Sequence, residues 1–208
     1  MPADQAGLAR LVEREGIGGR VVDAFRKVDR ALFVPEGSEL EAYVDRPVSI
    51  PERQTTSQPS LIARMIDAAA IDPDGRVLEI GTGYGFQTAL IAVLAKAVVS
   101  IERSPRLAER ARSNLDRAGF RNVEVHVADG WKGWPEGAPY SSIVVSAAAD
   151  RMPDALVEQL DERGRLVVPL KRRGSDDVIL FERRKGKPVE LGLLTPARFV
   201  PLVRGGPE

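Results

Sequence analysis

Val77-Leu78-Glu79-Ile80-Gly81-Thr82-Gly83-Tyr84-Gly85 is the stretch that decides the fold. A short, mostly apolar run enters three glycines spaced two apart, and Gln87 to Ala95 then carries a helical pattern. A strand, a glycine turn and a helix in that order make the first half of a βαβ unit. The pattern repeats downstream: strands are predicted at Arg76 to Ile80, Val98 to Glu102, Val123 to Val127, Ile143 to Ser146 and Leu166 to Leu170. Helices are predicted between them at Gln87 to Ala95, Pro105 to Ala118 and Pro153 to Leu160, with Ser104 as an N-cap and Gly119 as a stop. Such alternation predicts an α/β domain on a doubly wound, mostly parallel sheet. Two further runs, Val178 to Phe181 and Val189 to Leu194, flank the turn Arg184-Lys185-Gly186-Lys187 and predict an antiparallel C-terminal edge.

Upstream of the glycines the pattern is helical. Leu8, Leu11 and Val12 share a face before Gly16, and Val21, Val22, Phe25 and Val28 repeat the spacing before Phe33-Val34-Pro35, so two short N-terminal helices are expected. Gly37 to Pro59, punctuated by Arg46-Pro47 and Ile50-Pro51, has no sustained period and reads as a long loop. Leu61, Ile62, Met65, Ile66 and Ala69 then form a stripe closed by Asp72-Pro73-Asp74-Gly75. Residues 1–74 are read as helices and a substrate-side loop packed, within the same domain, on a core of residues 75–208.

Composition narrows the function. The 208 residues are 43% hydrophobic and 29% charged, with 19 Gly and 15 Pro, which fits one globular domain and excludes a disordered or fibrous chain. Thirty basic and thirty acidic residues cancel, so no overall field draws a polyanion and a nucleic-acid partner is not expected. The absence of Cys excludes disulfides, thiolate zinc sites and thiol nucleophiles; a single histidine, His126, leaves too few imidazoles for zinc chemistry, and no metal is expected. The most apolar stretch, Ala89 to Ile101, is broken by Lys96, and Met1 to Arg14 has no apolar segment, so neither a membrane span nor a secretory leader is expected. A cytoplasmic location follows as the expectation.

A dinucleotide-binding turn wants its third glycine three positions after the second, where this chain has Phe86. An acid two residues before the first glycine, followed by G-x-G-x-G, is instead the pattern of S-adenosyl-L-methionine-dependent methyltransferases, and the sheet is accordingly expected to be of their Rossmann-like type. Small residues at the end of a strand let backbone N–H groups approach a ligand. Glu102 ends the next predicted strand, where an acid can accept ribose hydroxyls, and Asp129-Gly130 ends the third, where it can meet the adenine. The candidate cofactor contacts are therefore Glu79, Gly81, Gly83, Gly85, Glu102, Asp129 and Gly130. Singly each can be a tight turn, a helix cap or a solvated acid; three consecutive strand ends together favour a ligand.

The chain also resembles a named family, the protein-L-isoaspartate (D-aspartate) O-methyltransferases, from about Phe33 to Leu202. The resemblance is carried by Phe33-Val34-Pro35, Tyr43, Gln54-Thr55-Thr56-Ser57-Gln58-Pro59, Val77 to Gly85 with Gln87-Thr88-Ala89, Ser100-Ile101-Glu102-Arg103, Asp129-Gly130, Gln159-Leu160, Val168-Pro169 and Phe199-Val200-Pro201-Leu202. It implies S-adenosyl-L-methionine as cofactor and Ser57 as the active-site serine. The implied substrates are isoaspartyl and D-aspartyl residues of damaged proteins, repaired through a methyl ester that can collapse to a succinimide; separately, a monomer is expected. A carboxylate with a pKa near 4 is already a nucleophile at neutral pH, so orientation rather than a general base would supply the catalysis. From spacing alone Ser57, like Ser60, reads as a helix cap in preference to a catalytic residue, and it is the family resemblance that reverses that order. His126 reads as an exposed or half-buried strand residue, and Trp131 and Trp134 either cover the adenine or close their loop. Arg53 and Ser141 stand where the family has glycine and aspartate, which leaves open another carboxylate acceptor, a small molecule or a dedicated peptide. A non-catalytic S-adenosyl-L-methionine-binding module, with Tyr84 altering the loop, stays open as well.

Overall fold

Two short strands, β1 (Val48–Ile50) and β2 (Gln54–Thr56), form a hairpin of their own in the computed structural model, which describes residues 4–205. Seven others, β3 (Arg76–Ile80), β4 (Ala97–Glu102), β5 (Val123–Val127), β6 (Tyr140–Val145), β7 (Leu160–Lys171), β8 (Asp176–Arg184) and β9 (Lys187–Ala197), make one sheet in the order β5-β4-β3-β6-β7-β8-β9. The five strands from β5 to β7 pair in parallel, and β8 and β9 add an antiparallel edge. The chain leaves β3 toward β4 and β5, then returns to β6 on the other side of β3. The carboxyl ends of β3 and β6 thus flank a switch point, where open α/β sheets bind ligands.

Among the described residues six α-helices accompany the sheet: α1 (Gln5–Arg14), α2 (Gly19–Lys27), α3 (Pro59–Ala69), α4 (Phe86–Leu94), α5 (Pro105–Arg117) and α6 (Asp154–Glu158). Side chains alternate across β3, so Val77 and Leu78 fall into different cores. Val77 and Val98 join Phe25, Ile62, Phe86 and Leu90, a core shared by the N-terminal helices and the sheet. Leu78 and Ile80 join Ile101, Tyr140, Ile143 and Leu156 on the opposite face. By the same alternation Glu79 points to the face covered by α4, and it is 0% exposed.

Four details depart from the sequence-based expectations. The stretch 37–59 holds a 3₁₀ turn at Glu39–Glu41 and the β1–β2 hairpin, whose turn puts Glu52 and Arg53 at φ 62° and 58° without a glycine. β6 starts at Tyr140 rather than Ile143, because the hydroxyls of Ser141 and Ser142 are satisfied by the carbonyls of Arg76 and Ala69; it ends at Val145, leaving Ser146 just beyond it. The helix expected over Pro153 to Leu160 is confined to Asp154–Glu158, because Leu160 opens β7 through a charged segment with Arg163 at φ 70°. Finally, neither Ser57 nor Ser60 caps α3 with its side chain: the Asp45 carboxylate reaches in from the loop and accepts from the Ser60 N–H at 2.8 Å. Ser104 does cap α5, accepting from the Leu107 N–H at 3.2 Å.

Candidate active site

The glycine turn follows from the end of β3. Gly81, Gly83 and Gly85 have φ of 95°, 56° and 93°, a region costly for residues with a Cβ. The Gly81 N–H donates to the Ile101 carbonyl at 2.8 Å, and the Gly83 N–H to Glu102 Oε2 at 2.9 Å, tying the turn to the end of β4. Glu102 Oε1 accepts from the Arg103 and Ser104 N–H groups at 2.8 and 3.0 Å. Of the roughly four lone-pair positions of a carboxylate, three are thereby used and one on Oε2 is left for a ligand hydroxyl. Burial raises the Glu102 pKa from its ordinary value, against those backbone hydrogen bonds.

Beneath the turn, Glu79 gathers donors from two elements. Its register partner on β4 is Ser100, whose hydroxyl donates to Oε2 at 2.6 Å; from α4, Thr88 donates to Oε2 at 2.5 Å and Gln87 Nε2 to Oε1 at 3.0 Å. Thr82 Oγ1 lies 2.6 Å from Ser100 Oγ, and since Ser100 uses its only proton on Glu79, Thr82 is the donor there. Burial pushes the Glu79 carboxyl up to about 7, with a smaller push in the same direction from the like charge of Glu102, and against the three hydrogen bonds, which favour the ionised form.

A cleft of about 960 Å³, open to solvent, lies above this turn. Its walls include Gly81, Gly83, Tyr84, Glu102, Gly130 and Ser57. Tyr84 is folded against Ile50 and Leu107 and forms part of the wall. Gly130 has no room for a larger residue, since a Cβ there would lie 2.5 Å from Ile80 Cγ2. Three candidates from the sequence do not line the cleft. Glu79 is buried under it, Gly85 faces Leu115 and Phe33, and the Asp129 carboxylate is occupied by the N–H groups of Trp131 and Gly205 at 2.9 and 3.0 Å. Trp131 and Trp134 stand outside it as well. Trp131 donates to the Leu202 carbonyl at 3.0 Å and carries the Arg204 guanidinium over its ring, while Trp134 stacks on His126 at 4.0 Å. The tail from Val200 to Val203 closes one side of the cleft, held through hydrogen bonds between Ala148 and the backbone of Val200 and Leu202.

A second cleft, bordered by Asp45, Gln58, Arg64, Arg198 and Phe199, meets the first. Thr55, Ser57, Ser146 and Val200 are the described residues that line both. The Ser57 hydroxyl has no hydrogen-bond partner among the described residues, whereas its carbonyl accepts from Arg30 at 3.2 Å.

Arg30 was not singled out by the sequence, and it holds this junction together. It is 0% exposed, donates to the carbonyls of Ala42, Val44, Arg46 and Ser57 and to Thr56 Oγ1, and sits 5.6 Å over the Phe86 ring. Burial lowers its pKa to about 10, so it is charged at neutral pH. Asp45 is likewise new: it caps α3 and accepts from Gln58 Nε2 at 2.9 Å, fixing the segment that carries Ser57.

Comparison with known proteins gives a consistent result. A family model described as protein-L-isoaspartate(D-aspartate) O-methyltransferase matches residues 6–206. A protein-L-isoaspartate O-methyltransferase of Methanoculleus marisnigri is 49% identical over 193 residues, covering 92% of this chain and 87% of that relative. A second, from Marinobacter nauticus, is 46% identical, covering 93% and 89%. Among solved structures, a protein-L-isoaspartate O-methyltransferase superposes with a TM-score of 0.86 at 30% identity, over 97% of this chain and 66% of that one. A Plasmodium falciparum chain provisionally given the same name, solved with S-adenosyl-L-homocysteine, superposes with a TM-score of 0.85 over 98% and 100%, at 23% identity that speaks for the fold alone.

Proposed function

The chain belongs to the protein-L-isoaspartate (D-aspartate) O-methyltransferase family, and we propose that it methylates the free carboxylate of isoaspartyl and D-aspartyl residues in damaged proteins, with S-adenosyl-L-methionine as donor. The observation that carries the reading is the meeting of two clefts at Ser57, one walled by the glycine turn and Glu102, the other bordered by Asp45, Gln58, Arg64, Arg198 and Phe199. The residues present suit the cofactor. Gly81, Gly83 and Gly130 keep side chains out of the space beside the turn, and Glu102 retains acceptor capacity for a hydroxyl. Asp129 acts from behind, by fixing Trp131 and the tail, as Glu79 does from beneath.

Bound there, S-adenosyl-L-methionine supplies a methyl group on a positively charged sulfur and departs as S-adenosyl-L-homocysteine once an acceptor oxygen has taken the methyl. What the protein adds is position. The Ser57 O–H donates to the acceptor carboxylate and orients it without removing a proton, since the carboxylate is already ionised. No general base is needed, in keeping with a lone histidine that stacks on Trp134 outside both clefts. Ile50, Tyr84, Leu107 and Leu202 give the donor cleft an apolar lining that offers water few hydrogen-bond partners beside the carboxylate. The working form is taken to be a cytoplasmic monomer with no nucleic-acid or membrane partner; its charge sums to zero, and no described helix is long and apolar enough to cross a membrane.

The test is incubation with labelled methyl donor and matched isoaspartyl and normal aspartyl peptides. Label on the isoaspartyl peptide alone is expected; equal labelling of both, or none, rejects the reading.

A further inference from the structure

We infer that Ser146 is a second hydroxyl that touches the acceptor, donating a hydrogen bond to its carboxylate at the junction of the two clefts, which it lines together with Ser57. The inference rests on the methyl-transfer reading above and adds a residue to it. β6 ends at Val145, so Ser146 stands at the carboxyl edge of the sheet beside the glycine turn. Of the four residues common to both clefts, Thr55 and Val200 complete the set with the two serines. A carboxylate reaching from the second cleft toward a donor in the first has to pass these side chains.

The direction of the Ser146 hydrogen bond follows from the network beneath it. Glu79 Oε1 takes a proton from the Gln87 amide, so the nitrogen of that amide, not its oxygen, faces Glu79. Gln87 Nε2 has a second proton, which it donates to Ser146 Oγ at 2.8 Å. Ser146 is therefore an acceptor toward Gln87, and its own O–H has no acceptor among the described residues. A hydroxyl fixed on its acceptor side with its proton unused is a donor waiting for an anion. Two such donors at one junction can fix both oxygens of a carboxylate, which a single rotatable hydroxyl cannot.

The experiment compares wild type with Ser146→Ala and Ser146→Thr in the full chain. It measures kcat and KM for an isoaspartyl peptide, S-adenosyl-L-homocysteine affinity by calorimetry, and thermal stability. Loss of one hydrogen bond to a charged group predicts a drop in kcat/KM for the peptide of roughly tenfold to a hundredfold in Ser146→Ala. S-adenosyl-L-homocysteine affinity is expected to stay within about twofold, the span of a modest packing change. Ser146→Thr, which keeps the hydroxyl, is expected to recover most of the loss. Wild-type kcat/KM in Ser146→Ala would overturn the inference, as would a loss matched by an equal loss of S-adenosyl-L-homocysteine affinity, or a failure of threonine to restore activity in a folded protein. A wild-type protein that labels no isoaspartyl peptide would instead overturn the function reading, and the inference with it.

Discussion

Replacing Glu79 by Gln should flatten part of the pH dependence of folding stability. The carboxyl is fully buried, and its folded-state pKa is about 7 against an ordinary value of 4.5. Above pH 7 the group is ionised whether the chain is folded or not, and below 4.5 it is protonated in both states. Between the two, the folded protein keeps a proton that the unfolded chain releases, so stability falls as pH rises through that window. The interval of 2.5 pH units, from 4.5 to about 7, amounts to about 3 kcal/mol at 1.36 kcal/mol per unit, a sizeable part of a typical domain's stability. In Glu79→Gln the amide oxygen can still accept from Gln87, and Thr88 and Ser100 can turn their hydroxyls to accept from the new NH₂ group. The variant therefore keeps a satisfied network without the titration. Urea unfolding of both proteins between pH 5 and 8 should give a stability difference that shifts by about 3 kcal/mol in the variant's favour as pH rises. A difference that stays flat across this range would refute the argument, because it would mean that the three hydrogen bonds to Glu79 fully offset its burial.

Three further substitutions separate the parts of the site. Ser57→Ala should lower kcat/KM for an isoaspartyl peptide by roughly tenfold to a hundredfold and leave S-adenosyl-L-homocysteine affinity intact in calorimetry, since one donor to a charged oxygen is lost; unchanged turnover would reduce Ser57 to a wall residue. Glu102→Ala should do the reverse, weakening S-adenosyl-L-homocysteine binding by at least about tenfold as it removes the acceptor and frees the Gly83 N–H. Arg30→Met leaves five oxygens without their shared donor, so denaturant titration should show a loss on the order of 3 kcal/mol or more; stability within about 1 kcal/mol of wild type would show that water replaces the guanidinium.

How far the sequence reveals this molecule depends on whether the relevant interactions are local. β3 is found where predicted because Gly75 and Gly81 bound an unbroken run, and Glu102 and Gly130 are legible because strand ends converge in any sheet of this order. β1 and β2 are not, since a turn made by Glu52 and Arg53 at positive φ carries none of the Asn-Gly or Asp-Gly signals of a tight hairpin. The start of β7 is hidden for a different reason: Asp161, Glu162, Arg163 and Arg165 carry charges with no apolar alternation to mark a strand. Arg30 escapes because its acceptors lie 12 to 27 residues further along, beyond any helical or strand spacing. Ser146 offers one faint sign, a small polar residue at the carboxyl end of a predicted strand.

Glu79 shows why a single polar position can matter more than its own contacts. An apolar residue there would avoid the cost of a buried carboxyl, yet it would leave Gln87, Thr88 and Ser100 with protons and no acceptor at a fully buried position, at roughly 1 to 3 kcal/mol each. Partial removal of such a network is worse than keeping all of it or none. Two arms leave the carboxylate: Ser100 to Thr82 in the glycine turn, and Gln87 to Ser146 at the junction of the clefts. One buried carboxyl thus sets the orientation of groups in the glycine turn and at the junction of the clefts, and the stability lost as pH rises from 4.5 to about 7 accompanies that double constraint. A strand whose period places one acid toward α4 is enough to couple them, because register supplies Ser100 from β4 and the first turn of α4 supplies Gln87 and Thr88.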